Sequence, residues 1–407
     1  MRIVHTSDWH LGRTFHGVEL LDDQRRALAE LAAIVGEEQA DAVVVAGDVY
    51  DRSVPSADAV AAYDEGLAAI AATGAAIVVT SGNHDSATRL GSGSAFAAAG
   101  GLHLRTTIGA IDQPVMFDAD DGPVAIYGIP YLEPDTARAT LGVGTARGHA
   151  AVLSAAMDRI RADAARRSAR TVVAAHAFVV GAAATGSERS ISVGGVETVP
   201  AHIFSGVDYV ALGHLHSPQQ LTDTVRYSGS LLPYSFGERS HRKSVWVVDL
   251  DADGVREVRA RELRGVRGLS CLKGTLDELL TASEHADAEQ CYVEATLTDT
   301  VRPVDAMRRL RERFPYAVHV QWDRPRDGDG VDYRSRVHGR TDAEIVASFI
   351  SDVRDEPTPG ECALVERALR QVVGEPESDG AQAEAQADDA WTLFDCAGGA
   401  GDVAASA

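Results

Sequence analysis

Five short motifs recur down this 407-residue chain in one order: Asp8-x-His10, Gly47-Asp48, Gly82-Asn83-His84-Asp85, His176 and Gly213-His214-x-His216. Each follows a run of β-branched and small apolar residues, such as Val43-Val44-Val45 before Gly47 and Val78-Val79-Thr80 before Ser81-Gly82. Such runs read as buried strands, and polar residues at their ends sit where loops leave a sheet. A chain that spaces oxygen and imidazole donors this way must bring several strand ends together. Asp8, His10, Asp48, Asn83, His176, His214 and His216 are seven candidate donors, enough for two cations.

Taken singly, the motifs are ambiguous. Asp8-x-His10 reads as two side chains on one side of an extended segment, gripping one ion, or as a capping Asp beside a surface His. Asp48 can bridge two metals or simply cap its turn. Asn83 offers a neutral oxygen, His84 can meet a phosphate or leaving group, and Asp85 can fix the His84 tautomer. His176 reads equally as a ligand or as a satisfied core histidine. The order and number of the motifs together favour a dinuclear metal site, binding zinc, manganese or iron.

The first half alternates strands and helices, as layered α/β folds do. Strands are predicted over 3–6, 42–46, 77–80, 124–130, 171–175, 209–212, 225–228 and 244–249, and helices over 20–39, 56–73 and 154–167. Ligands carried from both ends of this region imply two sheets packed face to face. Composition shifts near 265. A strand over 291–297, a helix over 303–314 and a strand over 317–322 form a small α/β unit, and 324–330 is a charged, Gly-rich linker. Two helices follow, over 341–354 and 360–373; Thr341 and Glu344 fit a capping box, and Ile345, Phe349 and Val353 form an apolar stripe. The predicted division is 1–265, 266–330, 331–373 and a tail, 374–407, whose composition suits disorder and is broken by the apolar knot Trp391-Thr-Leu-Phe394.

The net charge of −22 argues against a surface that binds nucleic acid by charge alone. Residues 371–407 carry eight Asp and Glu and no Lys or Arg, leaving about −14 elsewhere. Arg13, Arg52 and Arg89, beside the motif loops, are candidate phosphate contacts, or solvated loop arginines. The four cysteines form no C-x-x-C pair, no signal peptide is expected before the strand at Arg2, and no apolar run nears the roughly 20 residues of a membrane span. These features point to the cytoplasm.

The set D-x-H, GD, GNHD, a lone His and G-H-x-H resembles the calcineurin-like metallophosphoesterases. The wording Thr6-Ser7-Asp8-Trp9-His10-Leu11-Gly12, residues 47–56, residues 227–238 and the unit after 265 look like the SbcD branch, nuclease subunits of SbcCD complexes, over residues 1 to about 373. The resemblance implies a four-layer fold with two packed sheets flanked by helices, a small capping domain and C-terminal helices that dock a partner. It implies two divalent cations, manganese for activity: Asp8, His10, Asp48 and His216 would hold one, and Asp48, Asn83, His176 and His214 the other. His84 matches the family's catalytic histidine. Asp51 stands where archaeal relatives often carry a histidine, and receives no role. The implied activity is a DNA exonuclease and endonuclease working with an SbcC-like ATPase, as a homodimer within a heterotetramer, in repair, recombination and replication-intermediate processing. The chain has no G-x-x-x-x-G-K-[ST], so ATP use would belong to that partner. A small-substrate phosphodiesterase or phosphatase on the same fold is the alternative, and a scaffold with a decayed site a third reading, opposed by the intact ligand set.

Overall fold

The computed structural model describes residues 1–145, 148–179, 198–323, 337, 339–353 and 356–373. The predicted linker 324–330, the tail and its Trp391 knot lie outside them. The chain divides into two compact units, Met1–Pro325 and Arg326–Ala407.

Two six-stranded sheets form the body of the first unit. In one, Arg2–Thr6, Ala42–Ala46, Ala76–Thr80 and Leu102–Leu104 run parallel, and Ser244–Asp251 and Gly254–Glu262 add antiparallel beside Arg2–Thr6. In the other, Val225–Tyr227, Tyr209–Gly213, Arg170–His176 and Val124–Gly128 run parallel, with Gln219–Gln220 and Val115–Phe117 antiparallel at the edges. Strand side chains alternate between faces, so every parallel strand here needs apolar residues at both parities. Ala42 and Val44 pack with Ile3 and Val78 against Val124, Ile126, Val172, Ala174, Tyr209 and Ala211 of the opposite sheet. Val43 and Val45 turn the other way, onto Leu28, Leu31, Val35 and Ile70 of the helices Leu21–Glu37 and Ala57–Ala71. The second sheet is covered likewise by Val152, Ala156, Met157 and Ile160 of the helix His149–Ala164. Helix, sheet, sheet and helix make the expected four layers.

His5 lies inside the sheet interface. Its Nδ1 meets the Tyr209 hydroxyl at 3.0 Å and its Nε2 the Leu212 carbonyl at 3.1 Å, tying one sheet to the other.

Leu269–Gly274, Tyr292–Leu297 and Ala317–Trp322 form a separate parallel sheet, with its own core of Leu276, Leu279, Val293, Ala295, Leu310 and Phe314. In the second unit, the helices Asp342–Val353 and Pro359–Val373 are each opened by a reciprocal cap. Thr341 and Glu344 form the predicted one, and Thr358 and Glu361 form another. The helix read over 154–167 begins instead at His149, because Gly148 releases the chain into it. Its first turn, His-Ala-Ala-Val, shows no period until Val152 and Leu153 are seen to be buried. The strand Gly254–Glu262 was not expected. Its Arg and Glu side chains alternate on a sheet edge, where polarity on both faces hides the period.

Candidate metal centre

The parallel strands of both sheets end at one edge of the interface, and the loops they release carry the motifs. The Asp8 and Asp48 loops are zipped together: Asp8 N donates to the Gly47 carbonyl at 3.1 Å, His10 N to the Asp48 carbonyl at 3.0 Å and Leu11 N to Val49 at 2.9 Å. The segment at Asp8 and His10 is not extended, contrary to the expectation from sequence. Both residues take left-handed φ values, 52° and 46°, as does Asp48 at 51°. Non-glycine residues adopt this region only when their surroundings over-determine it. Four of the seven such residues among those described, Asp8, His10, Asp48 and His214, are candidate ligands. Gly82 is required for a different reason: a Cβ there would collide with the Asp48 carboxylate and amide.

The side chains so aimed are buried together. Asp8, His10 and His216 place donor atoms within 4.8 Å of one another, as do Asp8, Asp48 and His176, and His10, Asp48 and His84. Asp48 Oδ2 lies 3.4 Å from His176 Nε2, 3.6 Å from His10 Nε2 and 4.0 Å from His84 Nε2. His10 and His216 bring their Nε2 atoms to 3.1 Å. His176 is the last residue of its strand; its Nδ1–H donates to the Ala46 carbonyl at 3.0 Å, leaving the Nε2 lone pair facing Asn83 Oδ1 at 2.9 Å. Asn83 thus turns its oxygen inward while its Nδ2, buried, makes no hydrogen bond. His214 offers its amide to both Asp8 oxygens (3.0 and 3.1 Å), and its ring centre lies 5.3 Å from that of His176. Lone pairs of carboxylate, amide oxygen and imidazole that converge in a dry space fit divalent cations.

The protein's own charges are in conflict without such ions. Burial, with the neighbouring Asp48, pushes Asp8 up to about 6, although His176 and His216 oppose the shift. Burial would raise Asp48 too, but the imidazoles of His176, His10 and His84 hold it well below the usual carboxylate range. Burial drives His10 well below its ordinary value. Burial would lower His176 as well, but the attraction and hydrogen bond of Asp48, with Asp8 and the Ala46 carbonyl, together move it the other way, to about 9. Cations in place of shared protons satisfy the same lone pairs.

His84 and Asp85 depart from expectation in one respect. Asp85 accepts the amides of Val49, Tyr50 and Gly82 at 3.1, 2.9 and 2.9 Å, so it braces the Asp48 loop. The His84 tautomer is set instead by the Asp51 carbonyl, 2.7 Å from Nδ1. Asp51 also places its carboxylate 3.7 Å from His10 Nδ1 and 3.8 Å from Arg13. Arg13 lies over the Tyr234 ring, 4.7 Å from its centre, and that ring stands edge-on to His10 and His216. Arg52 is exposed beside Asp51, and Arg89 donates to the Ser53 carbonyl at 2.9 Å. Gln24 was missed in the sequence. From the helix Leu21–Glu37 its amide nitrogen donates to the Trp9 and His10 carbonyls, at 3.1 and 2.7 Å. A glutamine inside a helix carries no local signal of such a task.

Residues 1–218 match the calcineurin-like phosphoesterase family, and residues 265–354 match a domain described as the type 5 capsule protein repressor C-terminal domain, SbcD_C. The chain belongs to the calcineurin-like phosphoesterase family and is a metal-dependent phosphodiester hydrolase. It is similar to the SbcD subunit of the nuclease SbcCD of Staphylococcus epidermidis, 27% identical over 361 residues that cover 88% of this chain and 94% of the relative. Among solved structures it aligns with TT1561 of Thermus thermophilus (14% identity, 65% of this chain and 99% of that one, TM-score 0.38). It also aligns with a dimetal phosphatase from Danio rerio (13% identity, 65% and 96%, TM-score 0.39).

Proposed function

We propose that this chain is the nuclease subunit of an SbcCD-like complex, hydrolysing DNA phosphodiester bonds as exonuclease and endonuclease in repair, recombination and replication. What carries the reading is the joining of the buried Asp and His cluster to an SbcD_C domain, together with the similarity to the staphylococcal SbcCD nuclease over most of both chains. Asp8, His10, Asp48 and His216 would hold one cation, and Asp48, Asn83, His176 and His214 the other, with Asp48 between them; manganese is our choice of metal. When bound, such ions would supply an activated water and polarisation of the scissile phosphate. Gly82 and Asp85 fix the position of Asp48. His84, with Nδ1 held on the Asp51 carbonyl, presents Nε2 to give a proton to the departing oxygen. Arg13, Arg52 and Arg89 would meet DNA phosphates locally, against the −22 net charge.

An SbcC-like ATPase is the proposed partner, docking on the C-terminal helices, where Phe349 and Leu364 stand exposed. Val54, Val60 and Phe96, at 64%, 45% and 88% exposure, offer apolar surface for a homodimer. No described helix is long and apolar enough to cross a membrane, and Cys271, Cys291 and Cys362 are free thiols; we place the protein in the cytoplasm.

The test compares plasmid and hairpin DNA with bis(p-nitrophenyl) phosphate, with Mn2+, with and without the ATPase and ATP. DNA cleavage that the ATPase stimulates is expected. Turnover of the small ester with DNA untouched in every mixture would assign the site to a small-substrate phosphodiesterase.

A further inference from the structure

Behind His216 lies a buried ion pair that the chemistry above does not use. Glu238, 1% exposed, ends the short turn Phe236–Glu238, and Lys243, 4% exposed, precedes the strand Ser244–Asp251. The Lys243 ammonium donates to Glu238 Oε2 at 2.5 Å, to the His216 carbonyl at 2.7 Å and to Ser230 Oγ at 2.9 Å. The other carboxylate oxygen, Oε1, accepts the Tyr234 amide at 3.2 Å and faces His216 Nδ1 at 3.8 Å. On the far side of the same ring, Nε2 joins the donor cluster with Asp8 and His10.

Stability does not explain this pair. Removing two charges from water costs much of what their attraction returns, and apolar residues of similar size often replace a buried pair without loss. Its placement does suggest a purpose. We propose that Glu238 is a positioning residue for the cation ligand His216, and that Lys243 is the partner that cancels its charge. At 3.8 Å the carboxylate acts by charge: it favours the proton on Nδ1, leaves the Nε2 lone pair for the cation and raises the basicity of the ring. A third unbalanced carboxylate near Asp8 and Asp48 would repel a phosphodiester anion. Lys243 removes that repulsion, and its bond to the His216 carbonyl holds the backbone of the ligand whose Nδ1 faces Glu238.

The inference rests on the reading of Asp8, His10 and His216 as cation ligands. It is tested on the full chain by counting bound Mn2+ with electron paramagnetic resonance, and by calorimetric titration, for wild type, Glu238→Gln and Glu238→Gln/Lys243→Met. The double variant removes both charges at nearly constant volume; its thermal unfolding in EDTA checks the fold. Wild type is expected to bind two Mn2+. In both variants one equivalent should weaken by roughly 10–100-fold while the other keeps its affinity. Two equivalents of wild-type affinity in either folded variant would overturn the proposal. So would equal weakening of both, or a change confined to the unfolding temperature in EDTA. If one of the two variants does not fold, as the unpaired Lys243 ammonium could cause in Glu238→Gln, the other decides alone. Failure of wild type itself to bind Mn2+ would contradict the reading of the site instead.

Discussion

His5 shows how one buried side chain makes the fold sensitive to acid. Burial, with Arg226 nearby, lowers its pKa from 6.5 to about 3 despite the Leu212 carbonyl, so it is neutral between the sheets. The unfolded chain protonates it near 6.5. Between these values the unfolded state binds the extra proton, so the contribution of His5 is complete above pH 6.5 and declines as pH falls, by about 1.4 kcal/mol per unit. His5→Gln keeps polar partners for Tyr209 and Leu212 but does not titrate. Denaturant unfolding in EDTA at pH 7 and pH 5 should show a smaller acid loss in the variant, by roughly 2 kcal/mol; an identical loss would refute this role. At the site, Asp8, His10, Asp48, Asn83, His176, His214 and His216 were legible as candidates because their chemistry resides in residue type and in position after strands, and the structure gathers Asp8, His10, Asp48, His176 and His216 within donor distance of one another in overlapping groups. Asp51, Gln24, Glu238 and Lys243 were not. They act through contacts such as Lys243 with the His216 carbonyl, 27 positions apart in sequence, which no local pattern encodes.

Elements were legible where a period was strong. Val43-Val44-Val45 and Ile77-Val78-Val79 are apolar at both parities because helices cover one face and the opposite sheet the other. The helix Ala57–Ala71 carries its start signal in Ser56, whose Oγ accepts the Ala59 amide at 3.2 Å. Ser56→Ala should therefore destabilise the protein by about 1 kcal/mol, measured by urea unfolding, with Mn2+ binding unchanged. A loss of bound metal would mean that this cap also shapes the Asp48 loop. Where side chains face water on an edge, as in Gly254–Glu262, or a helix opens on small residues, as at His149, the pattern fades and boundaries move. The left-handed turns at Asp8 and His10 were equally hidden, since neither residue is a glycine.

At the scale of the molecule, two sheets that carry candidate ligands face one another and their loops meet at one edge, so the full cluster of Asp8, His10, Asp48, His84, His176 and His216 draws on both. The exposed Val54, Val60 and Phe96 give the dimer proposal its own check. Sedimentation should show a dimer for wild type and a monomer for Val60→Glu/Phe96→Glu; a monomeric wild type would remove the dimer and leave the chemistry intact. The central claim, that this buried cluster cleaves DNA, is tested most directly by one comparison. Wild type and His84→Ala, each shown to bind two Mn2+, are assayed on hairpin DNA with the ATPase partner. We predict cleavage by wild type that EDTA abolishes, and a rate reduced by roughly 10²–10⁴-fold in the variant. Equal cleavage by the two proteins would contradict the account.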